Sequence, residues 1–225
     1  MSINGLLKQI PFEITDKPLV YEPQPFPEME YHNPPAVAVG TRPIVIGVCG
    51  FKGHGKDTAG EVLVRKYGFQ RVSFADGVKK VVAEILHIPV WWLHDPERKE
   101  GLHEPSGKTY RKWMQLMGTE VGRSIWGDAW VYWWKTEIEQ KGYERVVCTD
   151  LRFWNEFGVI SDTEEWDAMT LRIYNRNKPI AEDAHESERY ALMFPVNAEI
   201  VNNGTKDQLW EKVETKVLHR WPELW

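Results

Sequence analysis

From residue 44 onward, short apolar runs alternate with segments whose apolar positions recur every three to four residues. The apolar runs predict five β-strands, at residues 44–49, 70–74, 145–149, 168–174 and 198–201. The segments with helical spacing predict helices at residues 58–66, 75–87, 109–124, 128–140, 153–160 and 205–220. Because strands and helices alternate, the pattern predicts an α/β fold in which a five-stranded parallel sheet carries helices on both faces.

A glycine-rich segment, GFKGHGKDT at residues 50–58, directly follows the first predicted strand. It fits the phosphate-loop pattern G-x-x-x-x-G-K-S/T, except that Asp57 stands where the pattern has Ser or Thr. Glycine lets backbone N–H groups turn inward around a polyphosphate, and the following helix adds the positive end of its dipole. The charge of Lys56 would lie at the β- and γ-phosphates. Strand, loop and helix in this order predict nucleotide phosphate binding and the three-layer P-loop NTPase fold.

Polar residues follow the ends of the other predicted strands. The second strand leads into Asp76 and Lys79, the third into Asp150 and Arg152, and the fourth ends near Arg176. Open parallel sheets bind their ligands at the carboxyl ends of the strands. The sequence therefore predicts one site that gathers these residues beside the loop.

Two aspartates have two interpretations each. Asp150 could hold Mg²⁺, as the strand-end acid of phosphate-loop enzymes does, or it could cap the helix that follows it. Asp57 could be a first-turn carboxylate that the helix dipole stabilises by about 0.3–1 kcal/mol. Asp57 could also replace the missing hydroxyl near Mg²⁺, because this cation accepts carboxylate oxygen.

The predicted helix at 109–124 presents a polar stripe. Its members Arg111, Gln115, Thr119 and Arg123 follow one another at steps of four and would share one helix face. Two arginines that flank an amide and a hydroxyl suit a phosphate and a base edge. A solvated face would also accept these residue types.

Composition excludes several classes of function. A net charge of −5 and a pI near 5.8 argue against holding nucleic acid through a general positive field. No apolar stretch approaches the roughly 20 residues of a membrane span, and the N-terminus lacks a signal-peptide core, so a cytoplasmic protein is expected. Cys49 and Cys148 end predicted central strands and are expected to be buried thiols.

Three segments fall outside the alternating pattern. Eight of the fourteen prolines lie in residues 1–43, which predicts a proline-rich arm. This arm is expected to lie over the domain, to form a partly disordered tail, or to bind a partner as polyproline. Residues 44–225 then form the catalytic domain. Within this domain, residues 88–108 form an irregular excursion, and the polar residues 175–186 are a possible lid.

The order and spacing of several motifs resemble the bacteriophage deoxynucleoside monophosphate (dNMP) kinases, within the P-loop nucleoside monophosphate kinases. These motifs are GKDT at 55–58, SFAD at 73–76, YRKxxQxxGTExGR at 110–123, DxWV at 128–131, DxRFxNE at 150–156, HxSE at 185–188 and NNGT at 202–205. The resemblance covers residues 44–218, and Trp154 departs from it because the family often has proline there.

The resemblance implies roles for individual residues. The ATP phosphates would be held by Lys52, Gly53, His54, Gly55, Lys56, Asp57 and Thr58, and the donor adenine would pack on Asn203 and Gly204. The deoxynucleotide would be surrounded by Phe74, Asp76, Lys79, Arg111, Gln115, Thr119, Arg123, Trp130, Asp150, Arg152 and Glu156. Catalysis would fall to Lys56, Asp150, Arg152 and Arg176, with Asp57 and Asp150 at the Mg²⁺ that accompanies ATP.

The implied reaction transfers the γ-phosphoryl group of ATP to a deoxynucleoside 5′-monophosphate, which supplies diphosphates for phage DNA synthesis in the host cytoplasm. The partners would be small nucleotides, with a homodimer possible through the arm or surplus tryptophans. Three alternatives remain open at this point: dephospho-CoA as acceptor, a hydroxymethylated base in DNA as acceptor, and a nucleotide-binding protein without catalysis.

Overall fold

The computed structural model describes residues 42–162, 164–179 and 189–224. All but the last two residues of the proline-rich arm, the motif with His185, Ser187 and Glu188, and residues 180–186 of the possible lid lie outside these ranges. The strands are β1 (Ile44–Cys49), β2 (Gln70–Arg71), β3 (Leu102–His103), β4 (Lys108–Thr109), β5 (Arg145–Cys148), β6 (Asp167–Tyr174) and β7 (Ala198–Val201). The helices are α1 (Lys56–Tyr67), α2 (Phe74–Leu86), α3 (Trp91–His94), α4 (Tyr110–Gln115), α5 (Gly122–Ile125), α6 (Ala129–Lys141), α7 (Trp154–Ser161) and α8 (Lys206–Arg220).

Five parallel strands form the main sheet, in the order β2-β5-β1-β6-β7. The central strand, β1, is buried from Val45 to Cys49, as expected for a strand with neighbours on both edges and helices on both faces. The predicted α/β fold with a five-stranded parallel sheet is therefore confirmed. The free thiols of Cys49 and Cys148 are buried, as predicted.

Helices cover both faces of this sheet. Alternate residues of β1 point to opposite faces, so Ile46 packs in a core with Leu63 of α1 and Val213 of α8. Val45 packs in the core on the other face, with Trp134 of α6 among its members. The result is the three-layer architecture of P-loop NTPases.

The second strand is shorter than predicted, because the chain turns into α2 at Phe74 instead of continuing as strand to that residue. A capping box begins the helix: the backbone N–H of Ser73 donates to Asp76 Oδ2 at 2.9 Å, and the Ser73 side chain faces the N–H three residues on. The hydrogen bonds that the first N–H groups of the helix make here stabilise the chain more than one further residue pair in an edge strand would.

The excursion at 88–108 is not irregular throughout, which corrects the sequence interpretation. It contains α3 and an antiparallel hairpin in which Leu102 of β3 pairs with Thr109 of β4. Leu93 of α3 is buried in a third core cluster with Val78 and Val82 of α2. The excursion is therefore anchored on α2 by apolar contact.

The prediction of one continuous helix at residues 109–124 is wrong. A π-helical segment, Leu116–Val121, separates α4 from α5. The indole of Trp130 packs on the backbone here, since a Cβ at Gly122 would collide with its ring and its N–H donates to the Gly118 carbonyl at 2.9 Å. A π-turn changes the phase of the following residues, so the stripe at steps of four does not continue across it.

None of the helices in the described ranges combines the length and apolar character that a membrane span needs.

We predict that Gly50→Ala costs much more stability than Gly142→Ala. Both glycines have positive φ, 136° and 61°, so each substitution costs about 1–2 kcal/mol of backbone strain. Only at Gly50 would the new Cβ also collide with backbone, at the Ile173 carbonyl of β6, whereas nothing lies within 4 Å at Gly142. The clash adds about 1–3 kcal/mol. Urea denaturation of both variants measures the difference, and equal losses would contradict it.

Candidate nucleotide-binding site

The loop between β1 and α1 has the backbone geometry of a phosphate cradle. Gly50, Gly53 and Gly55 all have positive φ, which residues with a Cβ rarely adopt. Lys56 begins α1 and is buried, and its Nζ donates to the Phe51 carbonyl at 2.8 Å. The lysine therefore lies along the loop, with its charge inside the turn that the glycines form.

His54 supports the loop from below. Its side chain is fully buried between the rings of Phe51 and Tyr174, and its Nδ1 accepts the backbone N–H of Asn175 at 3.2 Å. A buried imidazole cannot touch a phosphate on the open side of the loop. The backbone N–H of His54 also donates within the loop, to the Phe51 carbonyl at 3.2 Å, so contact of His54 with ATP stays a prediction.

The turn between β7 and α8 closes the side of the loop. Asn202 donates from Nδ2 to the His54 carbonyl at 2.9 Å, and a Cβ on Gly55 would collide with that amide. The neighbouring Asn203 accepts the backbone N–H of Arg176 at 3.0 Å. Asn203 and Gly204, predicted from the resemblance to meet the adenine, directly follow Asn202 in this turn, and their contact with adenine stays a prediction.

The segment after β6 brings a lysine to the loop. Lys178 Nζ lies 3.3 Å from the Gly53 carbonyl oxygen, and a Cβ on Gly53 would lie 2.5 Å from that nitrogen. The cation predicted for this segment was Arg176, whose backbone binds Asn203. The contact of Lys178 with the loop was missed by sequence reasoning.

The start of α1 faces the end of β5 through one short hydrogen bond. Thr149 is buried and donates from Oγ1 to Asp57 Oδ1 at 2.7 Å. Asp57 itself is exposed in the first turn of α1, beside Lys56 and Thr58. The pair joins a carboxylate and a hydroxyl at the mouth of the loop.

Asp150 caps a helix, but not the one that the sequence suggested. Its Oδ1 and Oδ2 accept the backbone N–H groups of Phe74, at 3.1 Å, and Ala75, at 2.9 Å. These groups belong to the first turn of α2, whose N–H groups have no partner within the helix. The Cys148 thiol also donates to Oδ1, at 3.1 Å. The alternative that Asp150 caps the following helix is therefore wrong.

Glu156 is the residue that caps α7. Its Oε2 accepts the N–H groups of Arg152, at 2.8 Å, and Phe153, at 3.0 Å, and its Oε1 accepts from Arg123 at 2.6 Å. The Arg123 guanidinium also lies over the Phe153 ring, 3.8 Å from its centre. Burial, followed by the nearby charge of Asp150, raises the pKa of Glu156 to about 7, although Arg123 and the backbone N–H groups oppose this.

The first turn of α2 carries a second acid–base cluster. Asp76 accepts from Lys79 Nζ at 2.8 Å, and the same nitrogen lies 3.3 Å from His94 Nδ1. Both Asp76 and Lys79 are mostly buried, so the lysine is held in one position. The excursion at 88–108 supplies the histidine, which sequence reasoning did not include in the site.

Four basic residues form what we call the cation group: Lys52, Lys79, Lys99 and Arg111. Lys99 is half-buried, and burial together with the charges of Arg111, Lys79 and Lys52 lowers its pKa, although the charge of Glu100 opposes this. Of the four, Lys79 pairs with Asp76, as above, and Arg111 pairs with Glu100. Like charges that the fold brings together favour an anionic ligand among them. Lys99 was missed because the excursion could not be aligned from its sequence.

Four predicted nucleotide contacts have other partners in the structure. Phe74 is buried against the Trp134 ring, and Trp130 is buried beside the π-helical segment. Thr119, in the π-helical segment, donates its hydroxyl at 2.7 Å to the backbone carbonyl of Gln115, the last residue of α4. Direct nucleotide contact by these four residues stays a prediction.

The residues at the loop fit a magnesium ion. Asp57 and Thr149 supply a carboxylate and a hydroxyl, and Mg²⁺ prefers such oxygen ligands. Within the described residues, no group of three or more His, Cys, Asp or Glu side chains converges as a protein-only metal site. A magnesium that shares its coordination with ATP phosphates and water needs no such group.

Comparison with known proteins gives one curated relative. The chain is similar to an Acanthamoeba polyphaga mimivirus protein named "Putative deoxynucleotide monophosphate kinase", with 26% identity over 185 residues that cover 76% of this chain and 94% of that protein. No protein-family model matches.

Solved structures are similar at a lower level. TT1252 from Thermus thermophilus is 14% identical over 80% of this chain and 99% of that chain, with a TM-score of 0.46. Shikimate kinase from Aquifex aeolicus is 13% identical over 78% and 96%, with a TM-score of 0.41. The fold class rests on this chain's own sheet order and loop, and together with the viral relative these features support a P-loop kinase.

We predict that Glu156 makes the fold less stable as pH rises from about 4.5 to 7. The ordinary pKa of 4.5 applies in the unfolded chain, whereas the folded chain keeps the proton to about 7. The unfolded state therefore gains stability across this interval, by about 3 kcal/mol in total. In Glu156→Gln this contribution is absent. Urea denaturation at several pH values compares the two slopes, and parallel curves would contradict the prediction.

Proposed function

We propose that the chain is an ATP-dependent dNMP kinase, which converts ATP and a dNMP into ADP and the corresponding diphosphate. The observation that carries the proposal is the cation group beside the phosphate loop. Lys52 belongs to both. Ion pairs hold two other members of the group in place, Lys79 with Asp76 at 2.8 Å and Arg111 with Glu100. A second anion-binding region next to a triphosphate loop suits an acceptor that is itself a phosphate. The name of the viral relative agrees with this acceptor.

The chemistry requires positioning more than covalent help. An oxygen of the acceptor phosphate forms a bond to the γ-phosphorus of ATP, and the bond from that phosphorus to the bridging oxygen breaks, which releases ADP. The nucleophile is already anionic, so no strong base is needed. The main obstacle is repulsion between two anions, which Lys56, Lys178 and the cation group would lower.

Mg²⁺ would be held by Asp57 and Thr149 with the phosphates of ATP, and when bound it supplies further charge neutralisation. Arg152 and Arg176 remain the proposed arginines for the transferring phosphoryl group, as their positions after β5 and β6 suggest. Asp150 and Glu156 stabilise the starts of α2 and α7 by accepting backbone N–H groups, and the proposed acceptor would bind beside these helix ends.

A panel of acceptors tests the proposal. Labelled ATP is incubated with each of the common dNMPs, the ribonucleoside monophosphates, dephospho-CoA and DNA that contains a hydroxymethylated base. We expect labelled diphosphate from at least one dNMP at a rate well above ATP hydrolysis. Transfer only to dephospho-CoA or DNA, or ATP binding without any transfer, would overturn it.

We predict that Lys56→Ala lowers kcat by about 10²–10³-fold, as removal of one preorganised charge-stabilising donor typically does. Lys66→Ala is the matched control, because Lys66 lies on the same helix and pairs with Glu214 at 2.9 Å, at the opposite end of α1 from the loop. Both variants should stay folded by circular dichroism. Phosphoryl transfer by Lys56→Ala at the rate of the control would contradict a role for this lysine.

We predict that Lys99→Ala weakens binding of the acceptor dNMP and leaves binding of the donor ATP unchanged. Loss of one charged hydrogen bond of about 1.5–3 kcal/mol lowers kcat/KM for the dNMP by about 10–100-fold. The KM for ATP should stay within about threefold, because Lys56 and the loop amides are unchanged. Lys108→Ala, an exposed lysine of β4, is the control. An equal effect on both substrates would contradict the assignment.

A further inference from the structure

In phosphate-loop enzymes of the ordinary pattern, Mg²⁺ is held by the Ser or Thr after the loop lysine and by an aspartate at the end of a neighbouring strand. Here the loop position carries a carboxylate, Asp57, and the strand-end residue in contact with it carries a hydroxyl, Thr149. We propose that the two ligand types have exchanged places, so that Asp57 is the acidic magnesium ligand and Thr149 its hydroxyl partner. This rests on the proposed function for ATP as the donor.

The sheet register brings the pair together. Gly47 of β1 lies opposite Cys148 of the parallel strand β5, so Thr149 follows at the level of Val48, two residues before the loop begins. The hydroxyl of Thr149 then reaches Asp57 Oδ1 at 2.7 Å. One carboxylate and one hydroxyl are present, as in the ordinary pattern, and only their positions on the two elements differ.

Packing fixes the direction of the Thr149 hydroxyl. Thr149 is buried, with 3% of its surface exposed, and its methyl group lies against α1. A Cβ on Gly60 would lie 2.5 Å from Thr149 Cγ2, so only glycine leaves room for that methyl. With the methyl held there, the hydroxyl faces the first turn of α1. Asp57 is exposed in that turn, so its carboxylate remains accessible to a cation from the loop side.

The contacts of Asp150 assign it a different task. Both of its carboxylate oxygens accept backbone N–H groups at the start of α2, and the Cys148 thiol adds a third donor. A magnesium ion at this carboxylate would compete with the cap of α2. We therefore take Asp150 as a positioning residue for α2, the helix that carries Asp76 and its partner Lys79 of the cation group.

If the two ligands have exchanged places, a double substitution should restore the magnesium-dependent affinity for ATP that a single substitution at Asp57 removes. Asp57→Ser leaves two hydroxyls and no acid at the pair. The double variant Asp57→Ser with Thr149→Asp restores one acid and one hydroxyl in the ordinary arrangement. Asp150→Asn keeps the pair intact. Glu61→Gln is a matched control, because it removes a carboxylate one turn further along α1 that pairs with Arg65 and Lys206.

Calorimetry measures ATP affinity for each variant with Mg²⁺ and with a chelator, and electron paramagnetic resonance follows Mn²⁺ in the nucleotide complex. We expect Asp57→Ser to reduce the ratio of the two affinities by about tenfold or more and to release Mn²⁺. The double variant should recover the ratio to within about threefold, while Asp150→Asn and Glu61→Gln keep it. Thermal melting verifies that each variant is folded.

Loss of the magnesium-dependent affinity in Asp150→Asn with its retention in Asp57→Ser would overturn the exchange. Failure of the folded double variant to recover it would also count against Thr149 as the partner. The proposed function has its own readout. A wild-type protein with the expected magnesium dependence but no transfer to any dNMP would leave the exchange standing and overturn the acceptor.

Discussion

The site depends on one constraint, the tight passage of the chain from the central strand into α1. Gly50 passes so close to the Ile173 carbonyl of β6 that no Cβ fits, and His54 fills the space beneath the loop. The turn after β7 adds the Asn202 amide at the His54 carbonyl. Contacts from three neighbouring strands thus hold the backbone path of the loop. This preorganisation is what makes an amide cradle effective, because no binding energy is used to form it.

Acids and bases of the site have separate tasks. Asp150 and Glu156 both accept backbone N–H groups at helix starts, where a carboxylate also interacts favourably with the helix dipole. Their structural use leaves the site with an excess of cations around the loop and α2. In a chain of net charge −5, this local positive region is where an anionic substrate gains most. In the proposed reaction, the phosphates of ATP and the phosphate of the acceptor would both bind there.

Periodicity was sufficient for most of the fold. The five parallel strands and the helices that cover them follow from apolar patterns of the right length. The phosphate loop was recognisable because its glycines adopt positive φ, which other residues rarely do. The short hairpin β3–β4 was missed, since two-residue strands show no alternation. The π-helical segment was missed too, because it depends on the fit of Trp130 against Gly122, which is a tertiary contact.

Site residues divide in the same way. Residues inside motifs, such as Lys56 and Asp57, could be identified from sequence, but their partners could not. Thr149 became important only through the register of β5 against β1, and Lys178 only through the path of the chain after β6. Lys99 has no motif at all, and its neighbours come from α2, α4 and the loop. One of the two sequence interpretations of Asp150 was a cap on the helix that follows it, whereas it caps a helix that begins 76 residues earlier.

We propose that the phosphate loop and the cation group lie side by side, so that one polyphosphate can span them. Binding of an analogue that joins adenosine to a deoxynucleoside through five phosphates measures this directly. The account predicts one site per chain and an affinity about 100-fold or more above that of ATP alone, because the second half binds at high effective concentration. Lys56→Ala and Lys99→Ala should each weaken the analogue. An affinity no higher than that of ATP would contradict the account.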